Sequence, residues 1–370
     1  MMDEVDNNSK VMNLEKPYNL IDGATGELIE FSKAVEQQHK IARDEEYLIE
    51  ERLEAFEDII DSEVGDTTLW RARNLEREFG LRQLYLKFEG GNPTGTQKDR
   101  IAFAQAMDAL RRGFQTVTIA TCGNYGVAMA LAASLAGLRC IVYIPENYHT
   151  RRINEIVELG AEIMRVPGDY ENAVKTSKLH ALENEYYDAN PGGGNLPLQL
   201  TAYGQISYEL YDELRDAPLM VSVPVSNGTT LAGMYKGFLS LYRRGKTSRI
   251  PRLVAGSSFK KNPIVQAFVN NRETCIDLQP EKIHETDINE PLINWHSIDG
   301  DLALDAIRST KGWAVDITDK SMISYSRIIK QKEGMSVMPA STAGLIALIE
   351  RHRQQELPHD RYVAILTGKK

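Results

Sequence analysis

Apolar residues along this chain fall into short runs that switch between two spacings, and from about residue 84 the switching becomes regular. Leu84 to Phe88 is a short β-rich run, followed by a Gly/Pro/Asn/Thr loop over 90–96. Phe103, Met107 and Leu110 then recur at helical spacing, which predicts a helix from about Lys98 to Arg112 that stops at Gly113. The pattern next predicts a strand at Thr116 to Ala120, a helix at Val127 to Ala136 and a strand at Cys140 to Ile144 before Pro145. A helix at Arg152 to Leu159 ends at Gly160, a strand covers Glu162 to Val166, and helices cover Tyr170 to Tyr186 and Leu198 to Leu214. Leu219 to Val225 reads as a buried strand, Thr230 to Arg243 as a helix and Arg252 to Ala255 as a strand. Beyond these come a helix near 301–309, a strand near 313–317, helices near 319–332 and 341–353, and a last strand at Tyr362 to Leu366. Residues 1–60 stand outside this rhythm. Within them Glu36 to Asp61 is charge-rich with scattered Leu and Ile, which predicts an exposed helix strapped across the main domain or a dimer mate.

Strands alternating with helices predict an α/β fold with doubly wound, mostly parallel sheets. Such sheets bind ligands at the carboxyl ends of their strands, so the loops after the strands should carry the chemistry. Three loops have suitable composition. The first, Gly91 to Arg100, brings Lys98 to a helix start, where the positive helix end should lower its pKa and favour a nucleophilic free amine. Taken alone, a solvated lysine beginning a helix remains the more ordinary reading. The second, Thr121-Cys122-Gly123-Asn124-Tyr125-Gly126, sets a hydroxyl, an amide and backbone N–H groups at a helix start, a ready site for a carboxylate or simply a capped turn. Cys122 has no histidine near it in sequence and reads as a packed thiol. The third, Pro224-Val225-Ser226-Asn227-Gly228-Thr229-Thr230, follows an apolar strand and can cradle a phosphate on N–H groups, hydroxyls and a helix end. It lacks the Gly-Lys-Ser/Thr ending of a nucleoside-triphosphate loop, and the chain shows no dinucleotide fingerprint. An amine, a carboxylate site and a phosphate site, each after a strand, suit an amino acid joined to a phosphate-bearing cofactor.

Composition narrows the classes. At 370 residues, one large or two coupled domains are expected. A net charge of −9 disfavours a nucleic-acid binder, though not a local basic pocket. Three cysteines, Cys122, Cys140 and Cys275, with no CxxC pair, point away from a disulfide framework or a structural zinc and towards a reducing compartment. The first ten residues have no apolar run and no stretch approaches the roughly 20 residues of a membrane span, so a soluble cytoplasmic protein is expected.

The segment Asn92-Pro-Thr-Gly-Thr-Gln-Lys98-Asp-Arg100 resembles the Asn-Pro-Thr-Gly-Ser-Phe-Lys-Asp-Arg motif of threonine synthases. Thr121-Cys-Gly-Asn124 is similar to the Thr/Ser-Ser-Gly-Asn loop of fold-type II pyridoxal-phosphate enzymes, the tryptophan synthase β-like group, and residues 225–230 to that group's phosphate loop. Glu333-Gly334, Pro339-Ala340-Ser341 and Leu366-Thr367-Gly368 resemble late threonine-synthase segments in the same order. The resemblance spans about residues 62–370. It implies pyridoxal 5'-phosphate as cofactor, with Lys98 as the Schiff-base and proton-moving lysine. It implies Asn124 on the cofactor's 3'-oxygen, Ser226, Asn227, Gly228, Thr229 and Thr230 on its phosphate, and Thr367 at its pyridine nitrogen. Thr121, Cys122 and Gly123, with Thr94, would hold the substrate carboxylate.

The domain division it implies is an N-terminal extension (1–60), a large cofactor-binding domain (61–104 and 206–370) and a smaller mobile domain (105–205). The expected function is a lyase in amino-acid metabolism that releases phosphate from O-phosphohomoserine to give threonine, acting as a homodimer on small amino acids. The alternatives are β-replacement or serine/threonine dehydration, and, from another class, a non-catalytic ligand sensor. This chain departs from the pattern at Gln97, which replaces an aromatic residue, at Cys122, which replaces a serine, and at Thr229-Thr230 in the phosphate loop. The stretch Asn289 to Ser297 has no counterpart; it reads as an ordinary loop with a satisfied His296, or as the entrance lining. Arg151 and Arg152 read as solvated helix-start charges that could alternatively meet a substrate phosphate.

Overall fold

The computed structural model describes residues 26–121, 123–146 and 152–370. Cys122 and Arg151 lie outside the described residues. The strands are β1 (Leu69–Arg71), β2 (Leu84–Phe88), β3 (Thr116–Ala120), β4 (Arg139–Pro145), β5 (Glu162–Val166), β6 (Tyr187–Asp188), β7 (Met220–Pro224), β8 (Arg252–Ser258), β9 (Trp313–Ile317) and β10 (Tyr362–Leu366). They form two sheets. One has six strands in the order β1-β2-β10-β7-β8-β9, the other four in the order β5-β4-β3-β6. Every pairing is parallel except that of β1 with β2.

The burial of each strand follows its place in the sheet. Every residue of β3, β7 and β10 is buried, as expected of inner parallel strands covered on both faces. The edge strand β5 is largely exposed, and β1 is a short, open edge. β8 runs three residues beyond the predicted end, through Gly256, Ser257 and Ser258, which composition alone marks as loop. A Cβ at Gly256 would fall 2.1 Å from the carbonyl oxygen of Ala343, so the glycine lets the start of helix Ala343–Gln354 sit against the strand.

The predicted single N-terminal helix is two helices, Gly26–Arg43 and Ile49–Glu63, with a turn between them. The second is not simply exposed: it buries Arg52, Ala55, Phe56 and Ile59. Phe56 stacks on Phe103 with ring centres 5.9 Å apart, and Arg52 donates to the carbonyls of Ala42 (3.1 Å) and Ala136 (2.9 Å). The strap therefore satisfies carbonyls left open where helices Gly26–Arg43 and Asn124–Leu135 end. Helix Asn124–Leu135 is apolar all round and accordingly buried.

Candidate active site

The lysine loop is fixed before its lysine is placed. Asn92 is buried, donates to Glu89 and accepts the Gly65 N–H at 3.0 Å. Gly95 takes φ +82°, and its N–H returns to the Asn92 carbonyl at 2.8 Å, closing a tight turn. The chain's last residues then knit to this turn: Gln97 N–H donates to Thr367 O (3.0 Å) and Lys369 N–H to Gly95 O (2.9 Å). Asp99 is fully buried and accepts from the Thr94 amide (2.9 Å) and hydroxyl (2.7 Å). Burial raises its pKa to about 6 against those hydrogen bonds. Arg100 is clasped by two carboxylates, with Nε 2.6 Å from Glu89 and Nη1 2.6 Å from Glu209, while Glu209 also meets buried Lys87 at 2.8 Å. Burial would lower the Arg100 pKa, but Glu89 and Glu209 more than offset it. The two residues after the lysine are thus the lock of the loop.

Lys98 begins helix Lys98–Arg111, as predicted. Its pKa falls to about 8, in the expected direction but for a different reason: burial dominates, and Asp299 and Glu290 pull the other way. Its side chain ends over the Tyr125 ring, with Nζ 5.3 Å from the centroid. At neutral pH about a tenth of this amine is free, against about one in three thousand for an ordinary lysine. Reductive labelling of Lys98 by a small aldehyde is therefore expected to rise with pH and level off above about pH 8, whereas surface lysines keep gaining. Peptide mass spectrometry across a pH series reads this directly.

Two cavities meet at Lys98. The inner one is lined by Lys98, Asn124, residues 225–230 and Thr367. The outer one, of about 350 Å³, shares Lys98, Asn124, Ser226 and Asn227, and is walled by Thr121, Gly123, Tyr170 and residues of the 280–295 stretch. The structure thus brings together every described residue expected at the site except Thr94. That residue lines neither cavity, because its hydroxyl and amide both serve Asp99.

The loop expected to cradle an anion turns on Gly228, whose φ of +94° and close neighbours leave no room for a side chain: a Cβ would lie 2.7 Å from that of Ala303. Helix Thr229–Arg243 starts directly after it, with Thr229 and Thr230 buried at its first turn. Gly228→Ala is expected to weaken binding of inorganic phosphate by about tenfold, from left-handed strain of about 1–2 kcal/mol plus the clash; equilibrium dialysis measures it. The loop is braced from outside. Asn262 Nδ2 donates to Ser226 O (2.9 Å), and Asn294 Nδ2 donates to Asn227 Oδ1 (2.8 Å).

The braces include what the sequence left unplaced. The 289–297 stretch is not an ordinary surface loop: Glu290, Pro291, Ile293, Asn294 and Trp295 wall the outer cavity. His296 does not; it is half exposed and pairs with Asp277 at 2.8 Å. Arg152 is not simply a solvated charge either. It donates to Asn124 Oδ1 and pairs with Glu155 at 2.8 Å, which leaves the Asn124 Nδ2 as the amide group turned to other partners. Ser341, fully buried, lies 3.1 Å from the Thr367 hydroxyl and fixes it. Gln97 lines the inner cavity with a buried Oε1 that has no hydrogen-bond partner among the described residues. Of these supports, the sequence marks the Pro-Ala-Ser segment by resemblance and leaves the 289–297 stretch and Arg152 as open alternatives, but it signals none of the contacts they make.

Among the described residues no His/Cys/Asp/Glu group could hold a metal ion, and no helix is long and apolar enough to cross a membrane. A family model described as pyridoxal-phosphate dependent enzyme matches residues 60–368. The chain is 32% identical over 307 residues to the threonine synthase of Methanocaldococcus jannaschii, covering 82% of this chain and 74% of that one. To the threonine synthase of Bacillus sp. it is 27% identical, covering 82% of each. Solved structures that share the fold include the processed form of threonine deaminase isoform 2 from Solanum lycopersicum (TM-score 0.68, 15% identity, 89% of this chain and 91% of that one). Maize serine racemase is another (TM-score 0.69, 18% identity, 86% and 93%).

Proposed function

Because the chain belongs to the pyridoxal-phosphate-dependent enzymes, we propose that the cavities at Lys98 hold pyridoxal 5'-phosphate and an amino acid, for a lyase reaction of the threonine synthase kind. The observation that carries this is the position of Lys98 on both cavities, with an amine whose pKa burial brings to about 8. The residues present fit the cofactor. A glycine-only bend and a helix start with two hydroxyls suit its phosphate, and a neutral hydroxyl, Thr367, suits a pyridine nitrogen that is not held protonated.

Bound there, the cofactor supplies the electron sink that lets the carbon beside an amino group shed a proton and a neighbouring leaving group. The chain's own groups do the rest. Lys98 Nζ anchors the cofactor and carries protons to and from the substrate. Ser226, Asn227, Gly228, Thr229 and Thr230 hold the phosphate, and Asn124 Nδ2 meets the ring oxygen while Arg152 occupies Oδ1. Thr121, Cys122 and Gly123 take the substrate carboxylate at the start of helix Asn124–Leu135. Thr367, a neutral hydroxyl, would not hold the ring nitrogen protonated as a carboxylate would, and the weaker electron withdrawal of an unprotonated ring suits elimination and replacement over transamination.

O-Phosphohomoserine is the first substrate of this reading, by similarity to the threonine synthases. Release of phosphate from it, with threonine formed, tests the reading; no release from it or from O-phosphoserine removes it. The outer cavity supports a second reading. Asp169, Glu171, Glu285 and Glu290 line it, and burial raises the pKa of Glu171 and Glu285. Such a wall opposes a phosphorylated side chain and favours replacement or dehydration of an uncharged serine or threonine derivative, which a keto acid formed from free serine or threonine would reveal. If the phosphorylated substrate is the true one, Glu171→Gln and Glu285→Gln should each lower its KM by about two- to fivefold, the span of a single partly exposed charge. In the same reading the protein is a cytoplasmic homodimer. Residues 61–104 and 206–370 form its cofactor-binding part, 105–205 a smaller part that closes over the substrate, and 1–60 an extension.

A further inference from the structure

We propose that Asp299 is the proton-carrying partner of the phosphate cradle: its protonated carboxyl donates to Thr229 Oγ1 and so frees the Thr229 proton for the bound phosphate. This rests on the reading that residues 226–230 hold a phosphate, and it adds a group behind them. Thr229 lines the inner cavity, and its Oγ1 lies 2.5 Å from Asp299 Oδ2. Asp299 is 3% exposed and sits against the loop itself, its carbonyl oxygen 3.1 Å from where a Gly228 Cβ would be.

A hydroxyl has one proton. When Asp299 is ionised it can only accept, so Thr229 spends its proton there and turns lone pairs towards an incoming dianion. When Asp299 is protonated the bond reverses, and Thr229 becomes a donor to the phosphate. A donating Thr229 hydroxyl favours the ionised form of Asp299, as do the charged groups facing it, Lys178, from helix Tyr170–Glu183, and Lys98. Burial opposes them and prevails, so the Asp299 pKa is raised even without an anion. A dianion beyond Thr229 acts in the same direction, since like charge disfavours ionisation. The sign follows. Below the Asp299 pKa of the free protein this group adds no pH dependence to the affinity. Above it, affinity falls by about tenfold per pH unit, because each binding event then takes up one proton.

Pyridoxamine 5'-phosphate is the suitable probe, because it carries the phosphate but no aldehyde for Lys98. Its binding to the cofactor-free full chain is measured by calorimetry in two buffers of different ionisation heat, over a pH series. Wild type is expected to take up close to one proton more than Asp299→Asn at alkaline pH. The Asp299→Asn variant should keep its affinity where wild type loses about tenfold per pH unit. Thr229→Val keeps the carboxyl but breaks the relay, and its uptake should fall between that of wild type and that of Asp299→Asn. Equal proton uptake by wild type and Asp299→Asn overturns the inference while leaving the cofactor reading intact. Should Asp299→Asn not fold, equal pH slopes for wild type and Thr229→Val overturn it. No binding by wild type at any pH removes the cofactor reading and this inference with it.

Discussion

Lys98→Ala is expected to leave a folded protein whose turnover falls by about 10³-fold or more, the usual scale for losing a positioned proton carrier. The fold should survive because the amine faces a cavity. The loop around it is held by other groups: Asn92, Asp99 and the backbone bonds from Gln97 and Lys369. Three measurements read the result together: unfolding midpoint, visible absorbance after addition of the vitamer, and substrate turnover. Wild type should acquire colour and, after borohydride, a mass adduct on the peptide bearing Lys98; the variant should show neither. A variant that turns over at the wild-type rate would show that another amine does this work.

Arg100→Ala should produce the largest loss of stability. The guanidinium makes paired bonds to Glu89 (2.6 and 2.9 Å) and to Glu209 (2.6 and 2.9 Å), and the Glu89 side chain is wholly buried. Removing one member of a buried ion pair strands the remaining charge and costs about 3–5 kcal/mol. Arg100→Lys keeps a charge but cannot make two forked pairs, so it should fall between. Urea unfolding with a fixed slope measures the difference. A loss below about 1 kcal/mol would mean that Lys87, 2.8 Å from Glu209, absorbs the stranded charge.

Much of the alternating fold was legible because inner parallel strands are uncharged runs dominated by apolar and β-branched residues, as in β3, β7 and β10. Glu162–Val166 and Trp313–Ile317 also lie where the pattern puts them, each ended by turn residues. The missed elements carry weak or misread signals. β1 has three residues and an open face, and β6 has two. Helix Pro263–Val269 did announce itself: Asn262 caps it by accepting from the N–H groups of Ile264 (3.1 Å) and Val265 (3.3 Å), with proline at the first position. The short length hid it.

The three chemistry-bearing loops were legible for a simple reason: parallel sheets put their ligands after strands, and the loops carried small and hydroxylated residues there. Their supports were not. Arg152 on Asn124, Asn294 on Asn227 and Ser341 on Thr367 join positions far apart in the chain, and no local spacing encodes such a meeting. The sequence assigned no structural role to Asp99 and Arg100 because the partners that give them one, Thr94 excepted, lie outside the loop.

The six-stranded sheet seats β10 between β2 and β7. A ribosome making this chain delivers that central strand after the other nine among the described residues. Until residues 362–366 emerge, β2 and β7 have no shared neighbour, and the turn around Gly95 lacks the segment that pins it. The four-stranded sheet needs only residues 116–188 and can assemble while translation continues. The growing chain would therefore carry one finished sheet and one open seam, a window for chaperone capture that closes once residues 362–366 have left the ribosome.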